Sequence, residues 1–401
     1  MLLLFGIAPA PCLSLLWLLY LSLTVVGQDF LGFQWDNLLL EAGFLAIFFV
    51  PLQWLPKFSG EAAPLRIILW LLRLLLFKLM FSSGCVKLLS KDPTWRDLTA
   101  LTFHYQTQPL PTWIAWYASQ LSLSFQKFSC VMLFAIELGA PLLIFTPRRI
   151  RFLGAAAMVF LQALILLTGN YTFFNFLTIA LCLLLLDDFA LQNLLPRKLP
   201  GFFTFQPSTR SRHWPRLVII PLAIVILAAS FFQFISMFGV QSGLLKPLAL
   251  LDSQIASLRT VNSYGLFAVM TTRRNEIIVE GSDDGLTWLP YEFKYKPGDV
   301  NHRPAFVEPL QPRLDWQMWF AALGNYQDNS WFENFCERLL QGSPPVLALL
   351  QKNPFPKHPP RFIRAELYEY HFTDPAERRT TGAWWKRERT GEYLPPVALP
   401  P

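Results

Sequence analysis

The sequence predicts a membrane α-helical bundle followed by a soluble, β-rich C-terminal domain of the α+β class, sandwich-like in form. Hydrophobic residues make up 53% of the 401 residues, with 36 Phe, 14 Trp and a mean hydropathy of +0.35, which is more than soluble globular chains carry. Apolar stretches of about 20 residues, the length that crosses a bilayer as a helix, recur before residue 240. After residue 252, charged and alternating patterns replace them. We therefore expect a transmembrane domain at 1–240 and a soluble domain at 252–401.

The apolar stretches allow five to seven transmembrane helices. Seven candidate spans lie at residues 2–26, 38–55, 67–89, 121–145, 152–168, 172–186 and 217–238. The pair around Gly169-Asn170 could instead be re-entrant, which gives the lower counts. The first stretch has no basic segment before it and no small-residue cleavage site, so it is predicted to be a retained span rather than a signal peptide.

Lys and Arg in the short loops predict the orientation, because the cytoplasmic side collects them. With seven spans, ten basic residues fall on one side, namely Lys57, Arg66, Arg148, Arg149, Arg151, Arg197, Lys198, Arg210, Arg212 and Arg216, and three on the other, namely Lys87, Lys91 and Arg96. The N-terminus is therefore predicted to be cytoplasmic. The loop 90–117 and the C-terminal domain are predicted to be lumenal in an endoplasmic reticulum membrane, or periplasmic if the chain sits in a bacterial cytoplasmic membrane.

Composition and spacing argue against several kinds of partner. The net charge of +7 follows from the topology, and neither zinc-finger spacing nor a long basic run indicates a nucleic acid. Five scattered cysteines include no CxxC pair, so neither a disulfide framework nor a metal or cofactor site is predicted. Cys336 is the cysteine of the soluble domain, and we expect it to be buried.

The soluble domain alternates between strand and helix patterns. Residues 276–280 are predicted to form a strand, 281–285 a turn and 286–295 its hairpin partner. Residues 361–373 alternate as another strand, and the end from Pro395 is expected to be frayed. Three helices are predicted between them, at 315–323, 331–340 and 345–350.

Ionisable residues inside the apolar stretches are functional candidates by default. Glu41 and Glu137 could pair with Arg73 and Lys78. Such pairs could simply neutralise one another inside the bundle, or the basic side chains could extend to the membrane surface. A proton or ion pathway is the alternative, but a transporter should also carry matched broken helices in two halves, and no such symmetry is visible.

The polar, aromatic-rich insert at residues 91–111 has three interpretations. Its candidate residues are Trp95, Arg96, Asp97, His104, Tyr105 and Gln108. Arg96 with its flanking acids could form a local ion-pair cluster at the membrane interface. His104 could act as a general acid or base, although it lacks a recognisable catalytic partner at fixed spacing. The insert could instead contact the C-terminal domain or a client protein, for which Trp, Tyr and Arg are the usual anchors.

Strings of residues along most of the chain resemble the lipase maturation factors. They lie at residues 84–87, 95–99, 103–111, 169–171, 264–272, 276–282, 292–299, 311–324 and 341–347. The resemblance runs from about residue 35 to residue 370. It implies a multi-pass, chaperone-like membrane protein of the secretory pathway that helps secreted lipases of the lipoprotein lipase type to fold, assemble and be secreted.

The sequence therefore predicts a maturation factor without a catalytic constellation, whose partners are a secreted lipase client and the lipid bilayer. Predicted client contacts in the soluble domain are Asp315, Trp316, Met318, Trp319 and Phe320, although Trp316 and Trp319 could equally be helix-packed core. The alternative is a membrane-embedded carboxylase-like or lipid-modifying enzyme, with Lys78, Lys87 or His104 as its base.

Overall fold

The chain folds as two compact units, each assembled from segments that are distant in sequence. The computed structural model describes residues 1–55, 63–194, 214–240 and 242–399. Unit 1 consists of Met1–Arg96, Val131–Ala163 and Phe174–Val269, and unit 2 of Asp97–Cys130, Leu164–Phe173 and Met270–Pro401. The basic residues Lys57, Arg197, Lys198, Arg210 and Arg212 lie outside the described residues.

Helices dominate the chain up to residue 260. Their bounds are α1 Pro9–Gly27, α2 Gln34–Phe49, α3 Arg66–Leu89, α4 Pro93–Arg96, α5 Ala100–Thr107, α6 Trp113–Ser119, α7 Leu123–Phe134, α8 Arg148–Thr168, α9 Phe174–Leu183, α10 Asp188–Leu194, α11 Arg216–Met237 and α12 Lys246–Ile255. A π-helical turn, Ala135–Gly139, and a 3-10 segment, Ala140–Phe145, extend α7.

Strands and short helices make up the remainder. They are β1 Arg274–Ser282, β2 Leu289–Pro290, β3 Glu292–Phe293, α13 Arg313–Ala321, α14 Ser330–Leu340, α15 Pro344–Leu347, β4 Leu350–Lys352, β5 Phe362–Phe372, α16 Pro375–Thr381 and β6 Trp385–Val397.

Five helical segments in the described part of the chain are long and apolar enough to cross a membrane, so the prediction of a multi-pass protein is confirmed. They are Pro9–Leu31, Arg66–Leu89, Leu123–Phe145, Arg148–Thr168 and Arg216–Met237. The other two predicted spans are shorter helices, with 16 residues in α2 and 10 in α9. Thr172 precedes α9 with φ of 62°, and this left-handed conformation interrupts the helix that the apolar pattern predicted from residue 172.

α3 is the central helix of unit 1. Within its most apolar 18 residues, 61% are buried, against 11% in the span that begins with α1, and it packs on α2, α9 and α11. Gly84 lets the π-helical turn approach closely, because a Cβ there would lie 2.6 Å from Leu138 Cδ2. α3 is therefore the most buried of the candidate spans.

Unit 2 is built on two antiparallel sheets of unequal size. The larger has strand order β2-β1-β5-β6, and the smaller pairs β3 with β4. β1 and β5 pair over nine residues, from Arg274 with Tyr370 to Ser282 with Phe362. The core of the larger sheet includes Ile278, Tyr370 and Trp385, and Ala115 and Trp116 of α6 pack into it. A helix from between two membrane spans therefore completes the core of the C-terminal domain.

Most predicted elements of the C-terminal domain are present. The strands at 276–280 and 361–373 correspond to β1 and β5, and the three predicted helices correspond to α13, α14 and a shorter α15. The predicted hairpin partner divides, since β2 pairs with β1 whereas β3 joins β4 in the second sheet. Cys336 is 1% exposed, as expected, and burial raises the pKa of its thiol to about 12.

The expectation of a frayed end from Pro395 is wrong as far as Val397. β6 runs over 13 residues and pairs with β5 along most of its length. It is the last strand in the order of its sheet, and an edge strand tolerates proline because one row of its N–H groups needs no partner. Residues 386–390 of this strand, which carry most of its charged run, are all exposed.

Candidate functional site

The insert belongs to unit 2 from residue 97 onward, and the candidate site lies where it contacts the strands of that unit. Gln106 Oε1 accepts a hydrogen bond from Phe372 N at 3.3 Å, and Trp319 Nε1 donates to Thr107 O at 2.8 Å. Trp116 Nε1 donates to Thr373 Oγ1 at 3.3 Å. These bonds connect residues more than 200 positions apart, which makes the insert a structural component of the domain.

Arg274, the first residue of β1, anchors this junction. Its guanidinium donates to the carbonyl oxygens of Gln106 at 2.7 Å and Pro109 at 2.8 Å, and also to that of Gln108. It pairs with Glu276 at 2.6 Å, and Lys296 reaches the other oxygen of this carboxylate at 2.9 Å. Arg274 is 1% exposed, and burial lowers its pKa despite Glu276. A charge buried this deeply is tolerated because three main-chain carbonyls and the Glu276 carboxylate accept from its two terminal nitrogens.

Asn170 ties a second corner of the insert to the C-terminal domain. Its Nδ2 donates to Leu110 O at 3.0 Å and to Ala305 O at 2.8 Å, while its Oδ1 accepts from Val307 N at 2.7 Å. Asn170 is 2% exposed. It begins the sequon Asn170-Tyr171-Thr172, and an asparagine occupied in this way cannot carry a glycan in the folded unit.

His104, Gln108, Tyr171 and Glu308 form a polar cluster beside that corner. The Tyr171 hydroxyl donates to Gln108 Oε1 at 2.9 Å and lies 3.4 Å from His104 Nε2. The Glu308 carboxylate accepts from the main-chain N–H of Tyr171. A Cβ on Gly169 would lie 2.1 Å from Gln108 Oε1, so only glycine fits at that position.

Glu308 gives this cluster its chemistry. Burial raises the pKa of its carboxyl to about 8, against the lowering effect of the Tyr171 N–H. Burial also raises the pKa of Tyr171 well above its ordinary value, and Glu308 adds to the effect. The Glu308 carboxyl therefore changes its protonation near neutral pH, beside a tyrosine that stays protonated. Shifted pKa values of this kind are frequent at functional sites, but structural clusters show them too, so they do not by themselves indicate catalysis.

The first residues of the insert lie elsewhere. Trp95 belongs to unit 1, where it is 2% exposed, donates from Nε1 to Phe267 O at 2.9 Å and lies under the Lys87 ammonium. Arg96 and Asp97 are exposed. The structure therefore brings His104, Gln108 and their neighbours together in unit 2, and gives Trp95 a packing role in unit 1.

The predicted contact residues on α13 are mostly interior. Trp316, Met318 and Trp319 are 3%, 0% and 7% exposed, which supports the packing interpretation of the two tryptophans. Asp315 accepts from the main-chain N–H groups of Tyr295 and Lys296, both at 2.9 Å, and burial raises its pKa in spite of these bonds. Phe320 alone among the five predicted residues is exposed, at 41%.

Two ion pairs lie inside the described helices of unit 1, whereas Arg73 binds a main-chain carbonyl, so the predicted pairing holds in part. Lys78 Nζ and Glu41 Oε1 are 2.9 Å apart, as the sequence suggested. Glu137 pairs instead with Lys87 at 2.9 Å. Arg73 donates to the carbonyl of Leu184 at 2.9 Å from Nη2. Pairing within the bundle is what the neutralising interpretation requires.

Sequence reasoning missed Arg274, Glu276 and Glu308, and assigned Asn170 no structural role. Only spacing could have indicated the first two, because alternate residues of a strand share a face and an acid two positions after an arginine can pair with it there. Glu308 carries no local signal, since its surroundings come from residue 171. Among the described residues, no group of three or more His, Cys, Asp or Glu side chains could hold a metal ion.

Comparison with known proteins identifies relatives along almost the whole chain. The model of the lipase maturation factor transmembrane domain matches residues 1–193, and that of the lipase maturation factor C-terminal domain matches residues 260–395. Lipase maturation factor 2 of Xenopus tropicalis is 39% identical over 96% of this chain and 68% of its own length. Human lipase maturation factor 2 is 36% identical over 96% and 69%, and mouse lipase maturation factor 1 is 37% identical over 98% and 71%. No solved structure matches.

Proposed function

The chain belongs to the lipase maturation factor family, and from this premise we propose that it assists the folding, assembly and secretion of a secreted lipase. The observation that carries the proposal is the similarity to lipase maturation factors 1 and 2 over 96% or more of the chain. The relatives are named for maturation and not for a catalytic activity. We propose a folding role for this chain as well, with unit 2 as the part that meets the client.

The composition of unit 2 supports placing all of it on one side of the membrane, except for the span ends at residues 123–130 and 164–168 that it includes. A compact body cannot lie on both faces of a bilayer, yet its three segments are separated by membrane helices. Between residues 173 and 270 the described apolar helices are α9 and α11, so both must cross for the chain to return to the same side. α9 is shorter than the bilayer, but it packs on α2 and α3, and a helix shielded by protein need not match the lipid thickness.

The excess of Lys and Arg in the opposite loops favours the lumenal side for unit 2, in an endoplasmic reticulum membrane. Secreted lipases fold on that side. The test is labelling with a membrane-impermeant maleimide in intact microsomes. Leu286→Cys lies in unit 2 at a position that is 85% exposed, and should label only after detergent is added. Arg149→Cys is the matched exposed position in a loop predicted to be cytoplasmic, and should label at once; the reverse pattern would overturn the orientation.

Client contact is proposed for the exposed end of α13. Phe320 is 41% exposed and packs edge-on against Trp319 at 5.0 Å, and Leu323 one turn later is 49% exposed. Exposed apolar side chains on a rigid, well-packed helix suit transient binding of a partly folded chain, because little ordering entropy is lost. The buried members of the predicted contact set would then support Phe320 from beneath.

The deciding experiment measures the activity per secreted mass of a dimeric lipase in cells that lack their own maturation factor. The wild-type chain should restore this specific activity. His104→Gln should restore it equally, since a folding role needs no proton transfer at this side chain. Phe320→Asp should restore it poorly, whereas Leu349→Asp, at a residue 48% exposed elsewhere in unit 2, should restore it fully.

Three results would contradict the proposal in different ways. Absence of rescue by the wild type, at normal membrane expression, would remove the lipase client. Loss of rescue in His104→Gln alone would point to chemistry at His104. Full rescue by Phe320→Asp would move the client contact away from α13 while leaving the maturation role intact.

A further inference from the structure

Unit 1 contains a cavity of about 430 Å³ lined by both polar and apolar side chains. This volume lies in the range of small-molecule and cofactor sites. Its walls come from α3, α11, α12, the start of α2 and residues 262–265. Along α3 it extends from Lys78 to Val86, about 12 Å at 1.5 Å per residue, and it therefore occupies the half of the helix that leads to its C-terminal end.

One pole of the cavity is cationic. The Lys78 ammonium donates to Glu41 Oε1 at 2.9 Å and to Ser230 Oγ at 3.3 Å. An ammonium carries three hydrogens, so one remains for a ligand in the cavity that Lys78 lines. Glu41 is held by other donors as well, since its Oε2 accepts from Asn262 N and from the Tyr264 hydroxyl, both at 2.8 Å. This leaves Lys78 as the better donor toward an incoming anion.

The other pole is an acceptor pole one helical turn away. Gln233, three residues after Ser230 on α11, donates from Nε2 to Asp252 Oδ1 at 2.8 Å. Gln233 Oε1 is buried without a hydrogen-bond partner among the described residues. A buried amide oxygen in this state costs free energy until a donor or a water reaches it. A carboxylate and an amide oxygen together favour a cationic or hydrogen-bond-donating group.

The remaining wall is apolar, with Val86, Phe232, Phe234 and Met237. We propose that this cavity binds the headgroup and upper acyl chain of a zwitterionic phospholipid, with the phosphate at Lys78 and the amine at Asp252 and Gln233. A donor pole and an acceptor pole one turn apart match a headgroup that carries both charges. The apolar wall matches the chain attached to it, and the surrounding bilayer supplies the ligand. The site is separate from the proposed client contact.

The test is lipid binding by the purified full-length chain in detergent. Phosphatidylethanolamine, phosphatidylglycerol and the soluble headgroup glycerophosphoethanolamine are added separately, and bound lipid is counted by native mass spectrometry. We expect about one phosphatidylethanolamine per chain and weaker binding of phosphatidylglycerol. Binding of glycerophosphoethanolamine should be weaker by about tenfold or more, because it lacks the apolar contact.

Two variants make the test specific to the cavity. Ser82→Leu places a bulky side chain in the cavity wall and should lower phosphatidylethanolamine occupancy by about tenfold. Ser22→Leu makes the same change on the exposed surface of α1 and should leave occupancy unchanged. If Ser82→Leu does not elute as a folded monodisperse protein, Met237→Trp replaces it. Equal occupancy in the cavity-filled and control variants would overturn the proposal, as would equal binding of phosphatidylglycerol or of the soluble headgroup.

Discussion

The two units bury charged side chains in different ways. In unit 1, Lys78 and Lys87 each pair with a carboxylate on another helical segment, Glu41 and Glu137 respectively. In unit 2, Arg274 donates to three main-chain carbonyls of the insert, those of Gln106, Gln108 and Pro109, as well as to Glu276. A side-chain pair between helices fixes which helices associate and at what depth. A guanidinium that binds main-chain carbonyls fixes the conformation of a segment that has no regular hydrogen bonding of its own.

Among the substitutions that test this difference between the units, the removal of Arg274 should reduce stability the most. Arg274→Met should destabilise unit 2 by about 4 kcal/mol, because it leaves the carbonyls of Gln106, Gln108 and Pro109 without this donor and leaves the buried Glu276 with Lys296 as its remaining cation. The measurement is the thermal unfolding of the purified chain together with protease sensitivity of the insert. Arg364→Met is the control, since Arg364 pairs with Glu280 at 2.8 Å but is 27% exposed, and should cost about 0.5 kcal/mol. Equal losses would show that the main-chain contacts add nothing.

Breaking a buried ion pair in unit 1 should reduce the free energy of unfolding by less, and an apolar pair should be able to replace it. Lys87→Met should destabilise the bundle by about 3 kcal/mol because the buried Glu137 stays behind. The double variant Lys87→Met with Glu137→Leu should recover much of this loss, since an apolar pair needs no desolvation of charge. Denaturation in detergent, followed by tryptophan fluorescence, gives the unfolding free energies of the wild type, the two single variants and the double variant, which together form a double-mutant cycle. A double variant as unstable as the single one would mean that both units depend on their charges in the same way.

Asn170 tests whether unit 2 uses polar side chains to hold main chain at a second position. Asn170→Ala should cost about 2 kcal/mol, because the N–H of Val307 and the carbonyl of Ala305 lose their partners. Thr172→Val is the matched control. It also removes the sequon, but Thr172 Oγ1 has no hydrogen-bond partner among the described residues, so its stability should not fall. Comparison of melting temperatures separates the two effects, and a loss in both variants would implicate the glycan instead.

The smallest effect at a single pH should come from Glu308, and it should appear as a pH dependence. Its pKa of about 8 in the folded unit lies above the ordinary value of 4.5, so the folded state binds this proton more tightly than the unfolded state. This contribution to stability is complete below pH 4.5 and is lost as the pH rises through 8. Glu308→Gln should lose that decline, whereas the exposed Glu388→Gln should retain it. Melting curves between pH 5 and 8.5 provide the check, and parallel curves for wild type and Glu308→Gln would refute it.

Local sequence pattern predicted the helices and strands of both units better than it predicted which residues and strands pair with one another. Alternation identified β1 and β5, and apolar length identified the five long spans, because each pattern records burial of its own element. The pairing of Glu137 with Lys87 instead of Arg73 or Lys78 depends on the rotation and depth of helices, which packing sets. β6 was missed because its charged and proline-rich residues resemble a tail, and only the free edge of the sheet accommodates them. The placement of Glu308 depends on a segment 137 residues away.

The discontinuous composition of unit 2 sets an order of events during synthesis. The carbonyls that Arg274 will bind at residues 106–109 emerge about 168 residues before their partner, which is about 10 to 30 seconds at ordinary translation rates. Throughout that interval the insert and α6 have no sheet to pack on. A nascent chain that stops before residue 270 would expose Ala115 and Trp116, because the strands that bury them have not yet been made. Such a chain would itself be a substrate for folding assistance. A protein proposed to guide the maturation of others thus passes through an exposed and dependent stage of its own.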